Sequence, residues 1–269
     1  MSTGEHIPVS AYIITFNNEA TIERALESLH WVDEIVVVDS FSTDGTLEIV
    51  RRYTDRIEQR EWPGFRDQYQ HASEQCTHDW ALFLDADEEV SSKLAEEMQE
   101  EMRRNAGRPD AERVRGYYGP RRTYYLGRWH LHGAWIPDRE IRLYERSRAR
   151  WEGGLHASIR IEGREEHFKN FYYHYTYENL SDQIRTIDRY SETAARDMVE
   201  EGRRPSLIRL VGNPLACFLK GYIFKGGFRE GMPGFIVAIS TSFYVFVKYA
   251  KLWEAQGKFS RFDDGDRLP

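Results

Sequence analysis

The stretch Trp80-Ala81-Leu82-Phe83-Leu84-Asp85-Ala86-Asp87-Glu88-Glu89 runs from five apolar residues straight into an acidic cluster. A short apolar run of this kind reads as a buried strand. A strand buried on both faces belongs to a parallel sheet covered by helices. Two earlier stretches have the same form. Val9–Thr15 (VSAYIIT) leads into Phe16-Asn17-Asn18-Glu19, and Glu34–Val38 (EIVVV) leads into Asp39-Ser40-Phe41-Ser42-Thr43-Asp44-Gly45. Helical patterns lie between and after them. One opens at Thr21 and carries Ala25, Leu26 and Leu29; the others span 46–53, 65–76 and 92–104, the last with Leu94, Met98 and Met102 on one stripe. Ile57 and Trp62 mark a third, weaker strand. This alternation predicts an α/β fold, a mostly parallel sheet with helices on both faces. Ligands of such sheets sit outside the carboxyl ends of the strands. Here those ends carry Asn17 and Glu19, Asp39 and Ser40, and Asp85 and Asp87.

Composition narrows the function. The chain has 269 residues and a formal charge of −7. Its 14 Phe, 16 Tyr and 7 Trp exclude a largely disordered chain, and two cysteines exclude a disulfide scaffold. The acidic balance argues against nucleic acid as a partner. No secretory leader is legible between Met1 and Pro8. No uninterrupted apolar run reaches the ~20 residues of a bilayer span; the nearest, 233–247, is shorter. There is no G-x-G-x-x-G after the first strand and no P-loop, which argues against a dinucleotide cofactor and a P-loop nucleotide site.

The pattern changes after Gly107-Arg108-Pro109. Residues 117–161 are aromatic, Arg-rich and made of short alternating pieces that finish the site. A helix over 181–201 is capped by Ser181 and ended by Gly202. Beyond Pro205 the chain is helical and amphipathic, with breaks at Gly212-Asn213-Pro214 and Gly226-Gly227. Residues 209–251 hold six basic residues and one acidic, a net of +5, so the remainder carries −12. Basic and aromatic residues together suit a surface that lies on anionic lipid; a core helix pair with lysines at its edges has the same composition.

Asp85 and Asp87, two residues apart at a strand end, can share one hard cation. Mg²⁺ or Mn²⁺ takes carboxylate and phosphate oxygens, and a diphosphate held there has its charge neutralised. An acidic approach to the following helix is the structural alternative. Asp39, at the end of its strand, can accept from a base N–H or a ribose hydroxyl. Arg139 and Arg142, next to Asp138, offer contacts to a phosphate or an acceptor. Trp129, Trp135 and Trp151 offer faces for a sugar or for core packing.

Three motifs, Ile13-Ile14-Thr15-Phe16-Asn17-Asn18-Glu19, Val38-Asp39-Ser40-Phe41-Ser42-Thr43-Asp44-Gly45-Thr46 and Leu84-Asp85-Ala86-Asp87-Glu88, occur in an order and spacing that resemble family 2 glycosyltransferases of the GT-A fold. Further stretches extend the likeness over nearly the whole chain: Tyr124-Tyr125-Leu126-Gly127, Trp135-Ile136-Pro137-Asp138, Arg142-Leu143-Tyr144, Trp151-Glu152-Gly153-Gly154 and Tyr249-Ala250-Lys251-Leu252-Trp253-Glu254. These look like a bacterial subgroup that adds glucose to the heptose region of the lipopolysaccharide inner core.

The resemblance implies a GT-A domain over 1–180, with a nucleotide-binding half (1–108) and an acceptor half (109–180); the helical extension over 181–269 is the segment whose composition suits a membrane surface or a core helix pair. It implies that Thr15, Asn17 and Glu19 line a nucleoside pocket and that Asp39 meets the uracil. Asp85 would sit near the ribose and a Mg²⁺ or Mn²⁺ ion, and Asp87 would ligate that ion, with His174 or His156 completing its shell. The family's base is a carboxylate after the D-x-D region, often within Glu-Asp. This chain has Pro137-Asp138-Arg139-Glu140 there instead. Asp138 is the preferred base, with Glu140 and Glu152 as alternatives. The implied activity is an inverting, metal-dependent transfer of a hexose, glucose from UDP-glucose, to a lipid-linked glycan at the cytoplasmic face of the inner membrane. Transfer to polyprenyl phosphate or a soluble acceptor, and nucleotide-sugar binding without turnover, are the alternatives.

Overall fold

The computed structural model describes residues 6–153 and 157–257. The chain forms two units, Met1–Tyr124 with Pro137–Thr176, and Tyr125–Ile136 with Tyr177–Pro269. Residues 125–136, assigned to the acceptor half by sequence, thus group with the C-terminal helices.

The first unit is built on β1 (Val9–Thr15), α1 (Ile22–Glu27), β2 (Glu34–Asp39), α2 (Thr46–Val50), β3 (Ile57–Gln59), α3 (Phe65–Glu74), β4 (Trp80–Phe83), β5 (Glu88–Val90) and α4 (Ser92–Ala106). β6 (Val114–Tyr125) follows and runs up to the second unit, where β7 (Arg128–His130) lies. β8 (Arg139–Glu145), β9 (Ala149–Glu152), β10 (Ser158–Ile161), β11 (Arg164–His167) and β12 (Tyr172–His174) complete the first unit. The main sheet has the order β3-β2-β1-β4-β8-β6-β12-β5, with β11 beside β6. β1, β2, β3 and β4 are mutually parallel, as expected. β8 runs antiparallel to β4 and β6, and β12 antiparallel to β5, so the sheet is mixed beyond its first four strands. β9 and β10 form a separate antiparallel pair.

Every residue of β1 is buried. Alternation along the strand sends Ile13 to one face and Tyr12 and Ile14 to the other. The Ile13 face packs Val37 and Leu82 against Ile22 and Leu26 of α1 and Leu94 and Met98 of α4. The Tyr12 face packs Val36, Val38 and Phe83 against Tyr69 and Ala72 of α3 and against Trp151. Helices therefore cover both faces. Thr21 stands at the N-cap of α1 but makes no side-chain cap bond. Trp62 lies beyond β3.

The second unit contains α5 (Leu180–Glu200), α6 (Leu207–Phe218), a π-helical turn Leu219–Phe224, a short 3-10 turn Gly227–Glu230 and α7 (Gly231–Ala255). Asn179, not Ser181, caps α5; its Oδ1 accepts from the Asp182 amide at 3.0 Å, because Ser181 already lies inside the helix. The break expected at 212–214 is absent: Pro214 lies within α6. A proline forfeits one helical bond, and the chain keeps the others, loosening into the π-turn just after. The break at Gly226 does occur, with φ at 70°. α7 packs along α5, with Gln183 Nε2 donating to Ser240 Oγ at 2.9 Å and Lys251 Nζ to Asp188 Oδ1 at 2.8 Å. By length and composition alone, Leu207–Phe224 (18 residues) and Gly227–Ala255 (29 residues) are long and apolar enough to cross a membrane. Counting only unbroken apolar runs missed them, since isolated Ser, Thr and Lys residues interrupt the run but leave the helix apolar on average.

Candidate active site

β4 ends at Phe83 and delivers Asp85, Ala86 and Asp87 in a turn before β5. Asp85 is held from two sides. Tyr69 donates its hydroxyl to Oδ1 at 2.9 Å, and both terminal nitrogens of Arg142 reach Oδ2 at 3.3 Å. Arg142, on β8, is 0 % exposed. It also donates to Glu88 at 2.7 Å, pairs with Glu140 at 3.1 Å and lies over the Phe83 ring. Arg121, on β6, completes the frame with bonds to Glu88 at 3.1 Å, Asp138 at 2.8 Å and Glu140 at 3.2 Å. Asp87 faces His174, at 3.3 Å, across the pairing of β5 with β12. The other ring nitrogen of His174 is 3.4 Å from Thr123 Oγ1.

Five carboxylates (Asp85, Asp87, Glu88, Asp138 and Glu140) are thus gathered around two guanidiniums and one imidazole. Burial raises the Asp85 carboxyl, and the charges of Asp87 and Glu140 add to this against the opposition of Arg142. Burial likewise pushes Glu88 up to about 7 despite Arg142. Burial would raise Asp87 too, but the charge and hydrogen bond of His174 outweigh it, and Asp87 is held low. His174 is correspondingly held high: burial opposes its charged form, and Asp87 prevails. A surplus of acid over base in a partly buried site is one that a cation would relieve.

The donor set fits such an ion in one particular way. Among the described residues no group of three His, Cys, Asp or Glu side chains is arranged to hold a metal alone. Asp87 and His174 give two ligand atoms at a separation one ion can bridge. Asp87 and His174 would hold such a Mg²⁺ or Mn²⁺ ion, which would supply positive charge to a phosphate group bound beside them.

The ends of β1 and β2 form a second cluster. Asp39 is fully buried; it accepts from the Ser42 amide at 2.9 Å and from Gln59 Nε2 at 3.0 Å. Thr15 Oγ1 donates to Asn18 Oδ1 at 3.0 Å. Asn17 accepts from the Thr43 amide at 2.8 Å, and Glu19 from the Gly45 amide at 3.0 Å. Thr15, Asn17 and Glu19 therefore knit the first loop and fasten it to the Asp39–Gly45 loop. Gly45 has a steric reason as well: a Cβ there would lie 2.7 Å from Glu19 Oε1. Phe16 and Phe41 are half-exposed at these strand ends, and Phe41 holds φ at 61°, which is rare for a bulky residue.

The structure brings Asp138, Glu140, Arg142, Asp85, Asp87 and His174 together. Arg139 is exposed and stands outside that bond network. Glu152 pairs instead with Arg150 at 2.6 Å and Arg160 at 3.8 Å on the β9–β10 pair. Trp151 is core: its indole donates to Tyr12 at 2.9 Å and its ring stacks on Tyr69 at 4.4 Å. Trp135 packs on Tyr125, His130 and Tyr177 in the second unit. His156 and Gly154 lie outside the described residues. Sequence reasoning missed Tyr69, Glu88 and Arg121. Glu88 was within reach, since strand alternation through Glu88-Glu89-Val90 turns Glu88 inward with Val90. Arg121 was one of many arginines, with nothing local to distinguish it.

The model of the family described as "Glycosyl transferase family 2" matches residues 10–167. The chain is 32 % identical to lipopolysaccharide core biosynthesis glycosyltransferase LpsC of Rhizobium meliloti, over 97 % of this chain and 98 % of the relative. It is 30 % identical to an uncharacterized glycosyltransferase of Rickettsia typhi, over 91 % of this chain and 87 % of the relative. Among solved structures, a mannosyltransferase of Pyrobaculum calidifontis, in complex with GDP-Man and Mn²⁺, aligns with a TM-score of 0.53 at 14 % identity, covering 93 % of this chain and 88 % of that one.

Proposed function

The chain belongs to glycosyltransferase family 2, and from that premise we propose that it moves glucose from UDP-glucose to a lipid-linked glycan such as heptose of the lipopolysaccharide inner core. The observation that carries this reading is the acid-rich cluster at the end of β4, where Asp85, Asp87 and His174 stand beside the base candidates Asp138 and Glu140. The acceptor class rests on the R. meliloti relative. The uridine donor rests on the motif resemblance, and a divalent ion on the donor set and on the Mn²⁺ of the P. calidifontis enzyme.

In this reading the loops fastened by Asn17, Glu19 and Asp39 receive the nucleoside, and Phe16 and Phe41 offer it apolar surface. Mg²⁺ or Mn²⁺, when bound, neutralises charge on the leaving diphosphate. Asp138 takes the proton of the acceptor hydroxyl as its oxygen attacks the anomeric carbon. The bond from that carbon to the diphosphate oxygen breaks in the same step, UDP leaves, and the configuration inverts. Arg142 and Tyr69 fix the direction of Asp85, and Arg121 fixes that of Asp138. The enzyme works at the cytoplasmic face of the inner membrane, where such an acceptor is assembled.

A donor screen tests this. The full chain with Mn²⁺ is offered UDP-, GDP-, ADP- and dTDP-sugars, with and without truncated lipopolysaccharide core. Release of UDP from UDP-glucose only when core is present is the expected result. UDP binding with no release on any acceptor moves the reading to a non-catalytic binder, and no nucleotide binding at all removes it.

A further inference from the structure

The second unit carries an apolar face that no described residue covers. On α6, Leu207, Ile208, Val211 and Leu215 recur at helical spacing and are 65 %, 84 %, 60 % and 58 % exposed. Phe224, at the end of the π-turn, is 82 % exposed, and Met232, at the start of α7, is 68 % exposed. Exposed apolar residues scattered singly are ordinary; a continuous series of this size marks a binding surface. Between residues 207 and 229 there are four basic residues (Arg209, Lys220, Lys225 and Arg229) and no acidic one. Cations bordering an apolar face match an anionic lipid leaflet. A second copy of the chain is the poorer occupant, because two such faces would bring like charges together.

Length alone would let α7 cross a bilayer. Its partner forbids that. α5 runs beside it, tied by Gln183 to Ser240 and by Asp188 and Glu192 to Lys251, and just past its end the Arg203 carbonyl accepts from Gln256. α5 carries Asp182, Arg185, Asp188, Arg189, Glu192 and further charges. A spanning α7 would draw these to hydrocarbon depth, where each is strongly disfavoured. We propose that α6, its π-turn and the start of α7 form a lipid-binding face that inserts into an anionic leaflet in its plane, with α5 kept in water. The proposal deepens the reading of a lipid-borne acceptor, but its test reads binding and not turnover.

The test is sedimentation of the purified full chain with phosphatidylcholine vesicles, with and without phosphatidylglycerol. The expected result is binding that needs phosphatidylglycerol and falls with salt. Ile208→Ser with Phe224→Ser lowers vesicle affinity at least about tenfold, while UDP binding is retained, since both side chains are in solvent. Lys220→Glu with Lys225→Glu abolishes the preference for phosphatidylglycerol. Carbonate washing releases the wild type. No binding to phosphatidylglycerol vesicles, or equal binding by the Ser variant, overturns the proposal. So does retention after carbonate, which would mean a spanning helix, or a dimer that the Ser variant abolishes without any vesicle binding. A wild type that binds vesicles but transfers no sugar leaves this surface standing and removes only the proposed activity.

Discussion

Asp87 Oδ2 and His174 Nε2 face each other at 3.3 Å, one on the turn after β4 and the other at the end of β12. Two residues 87 positions apart in sequence thus place side by side two atoms that would ligate the proposed ion. Asp87→Asn is expected to lower kcat/KM with Mn²⁺ at least about 100-fold, roughly 2.7 kcal/mol of transition-state stabilisation. His174→Gln is expected to weaken Mn²⁺ binding in the presence of UDP, read by calorimetry. Chelation should stop turnover and added Mn²⁺ restore it; full activity in excess chelator would refute the metal site.

The base assignment separates by position. Asp138 shares the Arg121 guanidinium with Glu140, whereas Glu152 is held by Arg150 and Arg160 on the β9–β10 pair. Asp138→Asn is expected to reduce kcat by about 10²–10⁴ with the KM for donor little changed. Glu152→Gln should stay within about twofold of wild type in the same assay. A larger loss in Glu140→Gln than in Asp138→Asn would transfer the role.

Arg142 is fully buried between Asp85, Glu88 and Glu140. Arg142→Met leaves Glu88 without its nearest cation and is expected to cost about 3–5 kcal/mol in urea unfolding. Combining it with Glu88→Leu should recover much of that loss, because an apolar pair replaces an uncompensated charge. Additive losses in the double variant would show that the pair is not coupled.

Glu34 supplies a pH dependence away from the site. Burial alone would raise its carboxyl. Hydrogen bonds from Ser10 and Thr77 and the nearby Arg56 prevail, and its pKa falls below 4.5. A depressed folded-state pKa adds stability that is fully present above the unfolded value and is lost as pH falls through the folded one. Glu34→Gln is therefore expected to cost roughly 1–2 kcal/mol at pH 7. That difference from wild type should shrink as the pH drops below 4.5 in thermal melts followed by circular dichroism. A difference independent of pH would place the effect elsewhere.

β1, β2 and β4 and the helices on both faces were legible because each of these strands is a short, largely apolar run ending in polar residues, whereas β3, Ile57–Gln59, is mostly exposed and reads only weakly. β8 was harder. Arg139–Glu145 mixes charge with apolar residues because it buries Arg142 inside the sheet, and so it does not read as a core strand. The site was half legible. Asp85 and Asp87 follow their strand directly, and Asp138 lies in a recognisable stretch. The groups that orient them, Tyr69 and Arg121, come from α3 and β6, and only tertiary pairing brings those beside the turn. In the tail, residue type showed an apolar, basic segment; the charged helix bound along α7, which decides how that segment can meet a bilayer, is a tertiary fact.

The buried Glu230 accepts the backbone amides of Leu131 and His132, at 3.1 and 3.0 Å, and pairs with Arg128 at 2.6 Å. The second unit is accordingly stitched from two pieces of chain that lie about a hundred positions apart. Such a tail is not a detachable module. Cutting the chain before α5 would leave two peptide donors and a guanidinium with no acceptor. A lineage that traded this tail for a different one would have to trade the 125–136 loop in the same event, so inheritance of the two segments is tied together, with the Glu230 carboxylate as one of the knots beside the bonds of Tyr125 to Gln183 and of the Gly133 amide to the Lys225 carbonyl.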